Sequence, residues 1–214
     1  MVIASIENTF NSSLHIITQS FLIPVMAVLV IFFIYSLINL GILIAQYYKR
    51  KQKKFDFKHF IDQFLMESRN GNTAELSNII ESAKISRSHK EVLTTLLTTD
   101  NVSNEFRESL ALKMVEDETI NSAKNLEKTD IVAKIAPAIG LMGTLIPLGP
   151  GLTALGAGDI QSLAQHLTIA FDAAVLGMAS AAIAFIVSKV RRRWYEEEIS
   201  NLETLVDTVL EVMK

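Results

Sequence analysis

Two side chains in this sequence combine a polar group with a setting in which it could move an ion. Asp172 lies inside the apolar run 163–187 and is the one acidic residue within any such run. A carboxylate at that depth costs several kcal/mol unless it is paired, hydrated or protonated. It is therefore either a protonated, hydrogen-bonded structural group, or a protonatable group or ion ligand in a transport path. Gln165, Thr168 and Ala179 share its helical face, and Thr168, one turn away, is its nearest local partner. Thr144 lies within IAPAIGLMGTLIPLGPGLTAL, residues 135–155. Its hydroxyl can bond the carbonyl four residues back, or hold water or a neighbouring side chain. His166, near the outer end of its run, reads as a solvated interface residue, with proton entry as the alternative. No Walker loop, metal-ligand cluster, nucleophile elbow or HExxH is present, so nothing points to catalysis, to a cofactor or to a bound metal.

The elements that must position these residues are visible as blocks. Half of the 214 residues are apolar, so distribution matters more than the average. Three apolar blocks, near 21–45, 135–155 and 163–187, are each long enough to cross ~30 Å of hydrocarbon. The first is rich in Leu, Ile, Val and Phe on all sides, as suits a lipid-facing helix; Pro24 sits near its start and Asn39 is expected to make an interhelical hydrogen bond. The second gives up bulk for Ala136, Pro137, Gly140, Gly143, Thr144, Pro147, Pro150 and Gly151. Small residues at four-residue spacing let helices approach closely in lipid. The third has its own small face: Ala170, Ala173 or Ala174, Gly177, Ala181, Ala184 and Ser188. The turn Gly156-Ala157-Gly158-Asp159 joins the two as a tight antiparallel hairpin.

Charge sets the expected topology. All twenty Lys and Arg lie between Lys49 and Lys134 or between Lys189 and Lys214. By the positive-inside rule the N-terminus is outside and the C-terminus cytosolic, in a multi-pass protein of the cell (inner) membrane. Lys49, Arg50 and Lys51 anchor the first span, and Arg191, Arg192 and Arg193 the third. These basic clusters read as contacts with membrane lipids; the net charge of −3 says nothing useful about nucleic acid, and no nucleic-acid partner is expected. No cysteine is present, which excludes disulfide and thiol chemistry. The first twenty residues lack a positive n-region, so the first span itself is expected to direct insertion.

The expected organisation is an extracytoplasmic segment 1–20, a first transmembrane helix 21–48, a cytosolic helical segment 49–130, a transmembrane hairpin 131–188 and a cytosolic helical tail 189–214. Phe10, Leu14, Ile16 and Ile17 suggest a short amphipathic helix at the outer interface. Within 49–130, Phe57, Phe60, Ile61, Phe64 and Leu65 mark one helix, which Asn70-Gly71 ends. Asn72 with Glu75, and Ser88 with Glu91, read as capping boxes for two more. From about Ser103 one long helix, with Phe106, Leu110, Met114, Ile120 and Leu126 near one face, runs into the second span. Ile199, Leu202, Leu205 or Val206, Val209 and Val212 repeat at three to four residues in the tail, which fits either a coiled-coil contact or packing on the 49–130 helices. The fold class is an all-α integral membrane protein: three transmembrane helices, the second and third extended into a cytosolic helical bundle.

Residues 136–145, APAIGLMGTL, resemble the A-P-x-x-G-L-x-G-T-V signature of the MotA/TolQ/ExbB proton channel family, and the ExbB/TolQ branch more than MotA. Residues 170–184, AFDAAVLGMASAAIA, are similar to that family's last span. The resemblance implies a homo-oligomer, a pentamer, whose second and third spans line a pore holding a dimer of a single-span ExbD/TolR/MotB-like partner. It implies the channel-forming subunit of a proton-motive-force-driven motor that couples ion flow to energised transport, envelope work or motility. It places Thr144 at the family's pore threonine and Pro137, Gly140 and Gly143 at helix-shaping positions. The family's threonine in the third span falls on Ala174, and Asp172 stands two positions earlier, about 200° round the helix. Pro147 and Pro150 also depart from the family pattern. The other reading is a non-conducting oligomeric membrane scaffold of the same fold.

Overall fold

A computed structural model of the chain describes residue 10 and residues 13–52, 57–68, 73–99 and 102–213. Among them the only regular structure is helical: α1 Leu22–Gln52, α2 Phe57–Ser68, α3 Thr73–Ser82, α4 Arg87–Thr98, α5 Asn104–Gly156 and α6 Ile160–Val212. Residues 13–20 are also helical and reach α1 through a turn at Phe21. The segments Ser13–Lys51, Asn104–Gly156 and Ile160–Val212 are long and apolar enough to cross a membrane. The proposed helix stop at Asn70-Gly71 and the cap at Asn72 lie outside the described residues.

The chain divides into an apolar unit, residues 1–43 and 128–189, and a polar unit, residues 44–127 and 190–214. In the apolar unit α1 buries Val25, Leu29, Ser36, Asn39 and Leu43, a row spaced by three, four and seven as one helical face requires. Ile23, Ile31, Ile34 and Ile38 stay exposed, the surface a membrane helix presents to lipid. Pro24 falls in the first turn, where a missing N–H costs nothing. Asn39 donates to the carbonyl of Tyr35 in its own helix, 2.9 Å away. Ser36 makes an interhelical bond, its hydroxyl donating to the Ser180 carbonyl at 3.1 Å.

α5 contains Pro137, Pro147 and Pro150 without ending, and its 53 residues correspond to about 80 Å of helix at a 1.5 Å rise. A helical proline removes the donor for the carbonyl four residues earlier. For Pro150 that carbonyl belongs to Ile146, and it accepts a hydrogen bond from Gln19 Nε2 at 3.0 Å. The connection to α6 is residues 157–159. Gly158 takes φ +77°, a conformation that favours glycine, and Asp159 Oδ1 accepts from the Ser162 amide at 3.0 Å, capping α6.

The polar unit is built on bulk. Phe60, Phe64, Leu76, Ile80, Val92, Leu93, Leu96 and Leu97 form one buried cluster with Leu202, Leu205, Val206 and Val209 of α6. The apolar repeat of the tail is thus used for packing on the chain's own helices. Two expectations are corrected here. α4 is capped by Ser86, not Ser88: the Ser86 hydroxyl accepts from the His89 amide at 3.2 Å. On α5, Phe106 and Ile120 are exposed, and the packed face is Arg107 and Ala111 with Leu110, Met114 and Val115 beside them. An apolar repeat does not distinguish the packed face when short-chained Ala111 fits closest. Arg107 is buried with its guanidinium donating to the carbonyls of Thr99 at 2.9 Å and Met213 at 3.4 Å, which satisfies a carbonyl at the end of α4 and one at the end of α6.

Candidate functional site in the membrane hairpin

The site begins with close approach. α5 and α6 meet along Ala136, Gly140 and Gly143 on one side and Ala173, Gly177, Ala181 and Ala184 on the other, all buried. A Cβ at Gly177 would lie 2.8 Å from the Ala136 carbonyl oxygen and 2.8 Å from Gly140 Cα. A Cβ at Gly140 would lie 3.1 Å from Gly177 Cα. Both would press on backbone, so the two glycines set the helix separation. At Gly143 the obstruction is the Ala173 methyl at 2.6 Å. Pro147, next on the same face of α5, is fully buried, whereas Pro137 is exposed.

This contact orients the polar residues. A Cβ at Gly143 would also touch Val25 and Leu29, each at 3.4 Å, so α1 lies on that flank of the hairpin. One residue further, each helix has turned about 100°. Thr144 and Ala174 therefore fall together on the flank away from α1, both half-buried. The Thr144 hydroxyl donates to the Leu141 carbonyl at 2.7 Å, three residues back and not the expected four. Pro137, about 60° from Gly140 round α5, lies toward the same flank.

Asp172 is elsewhere. It lies about 200° back round α6 from Ala174 and is exposed in the single chain, between the exposed Phe171 and the exposed Val175. Thr168, on its face, donates to the Ala164 carbonyl at 3.0 Å. His166 is half-buried, with Nδ1 2.8 Å from the Ser162 carbonyl. Thr144 and Ala174 thus share a flank that Asp172 does not.

Two polar contacts of the hairpin escaped the sequence analysis. The Ser188 hydroxyl, buried, donates to the Asp130 carboxylate, and Ser180 joins Ser36 to the Leu176 carbonyl, which its own hydroxyl reaches at 2.6 Å. Serines in a small-residue stripe read as spacers; their hydrogen bonds emerge only when the facing helix is placed. The basic anchors also differ among themselves. Arg50 pairs with Glu198 at 2.6 Å and Glu197 at 3.1 Å, Arg193 approaches Glu197 at 3.4 Å, and Lys51 and Arg192 are exposed. Lys49 and Arg191 line a cavity of the polar unit.

The family model of the MotA/TolQ/ExbB proton channel family matches residues 76–204, more than half of the chain. No curated protein matches it. The matched stretch carries all of α5, α6 up to residue 204, and part of the polar unit. On that match, and with three helices able to cross a bilayer, the chain is a membrane protein that belongs to the MotA/TolQ/ExbB proton channel family.

Proposed function

We propose that this chain is the channel-forming subunit of a motor driven by the proton-motive force, of the ExbB/TolQ type. In this reading it assembles as a homopentamer around a dimer of a single-span ExbD/TolR/MotB-like partner. It has no catalytic activity of its own. The observation that carries the reading is the fixed hairpin: Gly140 against Gly177 holds α5 and α6 so that Thr144 and Ala174 occupy one flank. A flank with a single hydroxyl among small and apolar side chains suits a surface along which a partner helix slides. The exposed Asp172 supports oligomerisation, because a carboxylate facing hydrocarbon is costly and a neighbouring copy or a hydrated path relieves that cost. The placement of every Lys and Arg at two stretches of chain favours an outside N-terminus and a cytosolic polar unit.

The test is proton flux in liposomes containing the chain and a co-expressed single-span partner that bears an Asp near the inner start of its span. Thr144→Val is expected to lower flux at least tenfold while the oligomer keeps its mass by native mass spectrometry. Monomers instead would make Thr144 a packing residue. Asp172→Asn is expected to abolish flux, with Asp172→Glu retaining part of it; equal flux in wild type and Asp172→Asn would remove Asp172 from the pathway. Ala174 gives the second reading its one supporting observation, because it supplies no hydroxyl at the third-span position. An oligomer that binds the partner but passes no protons would establish the scaffold.

A further inference from the structure

The polar unit contains a cavity of about 690 Å³, a size typical of small-ligand sites. Its lining is sharply biased in charge. Lys49, Arg50, Lys84 and Arg191 face one carboxylate, Glu198, in a chain whose net charge is −3. Glu198 is engaged by Arg50 at 2.6 Å. Among the described residues no carboxylate pairs with Lys49 or Lys84. Lys49 and Lys84 are exposed at the mouth of the cavity, where like charges repel one another unless an anion sits between them.

Two further features favour an anion there. Ser86, also in the lining, caps the N-terminus of the twelve-residue α4, whose first turn carries no acidic residue. The first turn of that helix thus supplies no acid of its own against its positive end, and Glu198 is the one carboxylate in the cavity wall. Phe57, Ile85, Trp194 and Leu205 give the wall an apolar and aromatic portion, beside the polar Gln46, His89 and Asn201. Trp194 is held by the Tyr47 ring at 6.5 Å and by the Arg50 guanidinium at 5.4 Å, within cation–π range. Guanidinium and ammonium groups beside a rigid aromatic wall recognise a phosphate that carries an apolar portion.

We propose that this cavity is a binding site for a phosphate-bearing anion, with Lys49 and Lys84 as its cationic ligands and Trp194 against the ligand's apolar part. The phosphate is either the headgroup of an anionic phospholipid or a soluble phosphate. The site is independent of proton conduction and of the pore flank.

Trp194 is the sole tryptophan of the chain, so its fluorescence reads the cavity directly. The full-length protein in detergent is titrated with dioctanoyl phosphatidylglycerol, with dioctanoyl phosphatidylcholine and with inorganic phosphate. A saturable change with phosphatidylglycerol that phosphatidylcholine does not match assigns a lipid headgroup; saturation by inorganic phosphate alone assigns a soluble anion. In either case Lys84→Glu is expected to weaken binding at least tenfold, and Lys84→Gln several-fold. Lys124→Glu, the same charge change at an exposed position outside the cavity lining, is expected to leave it unchanged. Both Lys84 variants are checked for wild-type elution and helicity. Equal responses to the two lipids without a response to phosphate, no response to any of the three, or binding that both Lys84 variants leave unmoved, overturns the site.

Discussion

The two units are filled by opposite kinds of side chain. The polar unit closes around Phe60, Phe64, Ile80, Leu93, Leu96 and Leu202, large groups that leave water when they pack. The apolar unit closes around Gly140, Gly143, Ala173 and Gly177, and leaves Ile31, Leu141, Phe171 and Phe185 outside. In water, burying a large apolar side chain contributes about 1.5–3 kcal/mol. In lipid that gain vanishes, because the tails are as apolar as leucine, and close backbone approach with a few hydrogen bonds takes over. The same chain follows both rules, and α6 does so along a single helix: glycine and alanine at 170–184, leucine and valine at 202–209.

Substitutions can break this contrast in either unit. The largest effect is expected from Phe64→Ala in the polar unit. Phe64 is 1% exposed, and such a truncation costs about 3–5 kcal/mol. Thermal unfolding in detergent, followed by hydrogen exchange, should show α2–α4 opening while the hairpin amides stay protected. Next is Gly177→Ala, the inverse change: one added methyl, pressed at 2.8 Å on backbone, costs about 1–3 kcal/mol by overpacking. Exchange should now rise in residues 136–184 and not in α2–α4. Gly143→Ala should be milder and largely rescued by Ala173→Gly, since the obstruction there is one methyl group; absence of rescue would mean that the helices had already moved apart.

A pH change should act on the polar unit through His89. His89 is buried, and that burial pushes its imidazole below the ordinary value, with Glu118 and Glu198 partly opposing the shift. The unfolded chain then takes up the proton first as pH falls. Stability from neutral His89 is complete above about pH 6.5 and is lost as pH drops from there through the folded value. Melting of the polar unit should therefore fall between about pH 7.5 and 5.5, and His89→Gln should flatten that dependence. The smallest effect is expected from Ser36→Ala, which removes the bond to the Ser180 carbonyl at 3.1 Å; hydrogen bonds between membrane helices average about 0.6 kcal/mol. A cost several times larger would show that a polar contact, and not glycine packing, holds α1 to the hairpin.

Much of the fold can be read without coordinates, for a physical reason. Composition alone marks a segment for lipid, and Gly156 to Asp159 could only be a turn, as φ at Gly158 bears out. The small faces of α5 and α6 are likewise legible, because close approach demands small residues whatever they meet. The cap of α4 was harder. Ser88 with Glu91 has the spacing of a capping box, but the chain turns one residue pair earlier and Ser86 reaches the His89 amide. Phe106 and Ile120 misled for a related reason: a 3.6-residue repeat names candidates for a buried face, and what packs against the helix selects among them.

Helix type, apolar length and the distribution of charge are local properties, written in residue identity and spacing, and they suffice for three spans, a hairpin and a family resemblance. Pairing across space is not local. That Gly140 meets Gly177, that Gln19 satisfies the carbonyl freed by Pro150, that Thr144 and Ala174 share a flank while Asp172 turns away, and that four distant cations surround one cavity all depend on rotations between helices. A rotation of 100°, one residue of helix, exchanges one such set of neighbours for another at almost no change in composition, so only the packed chain selects among them.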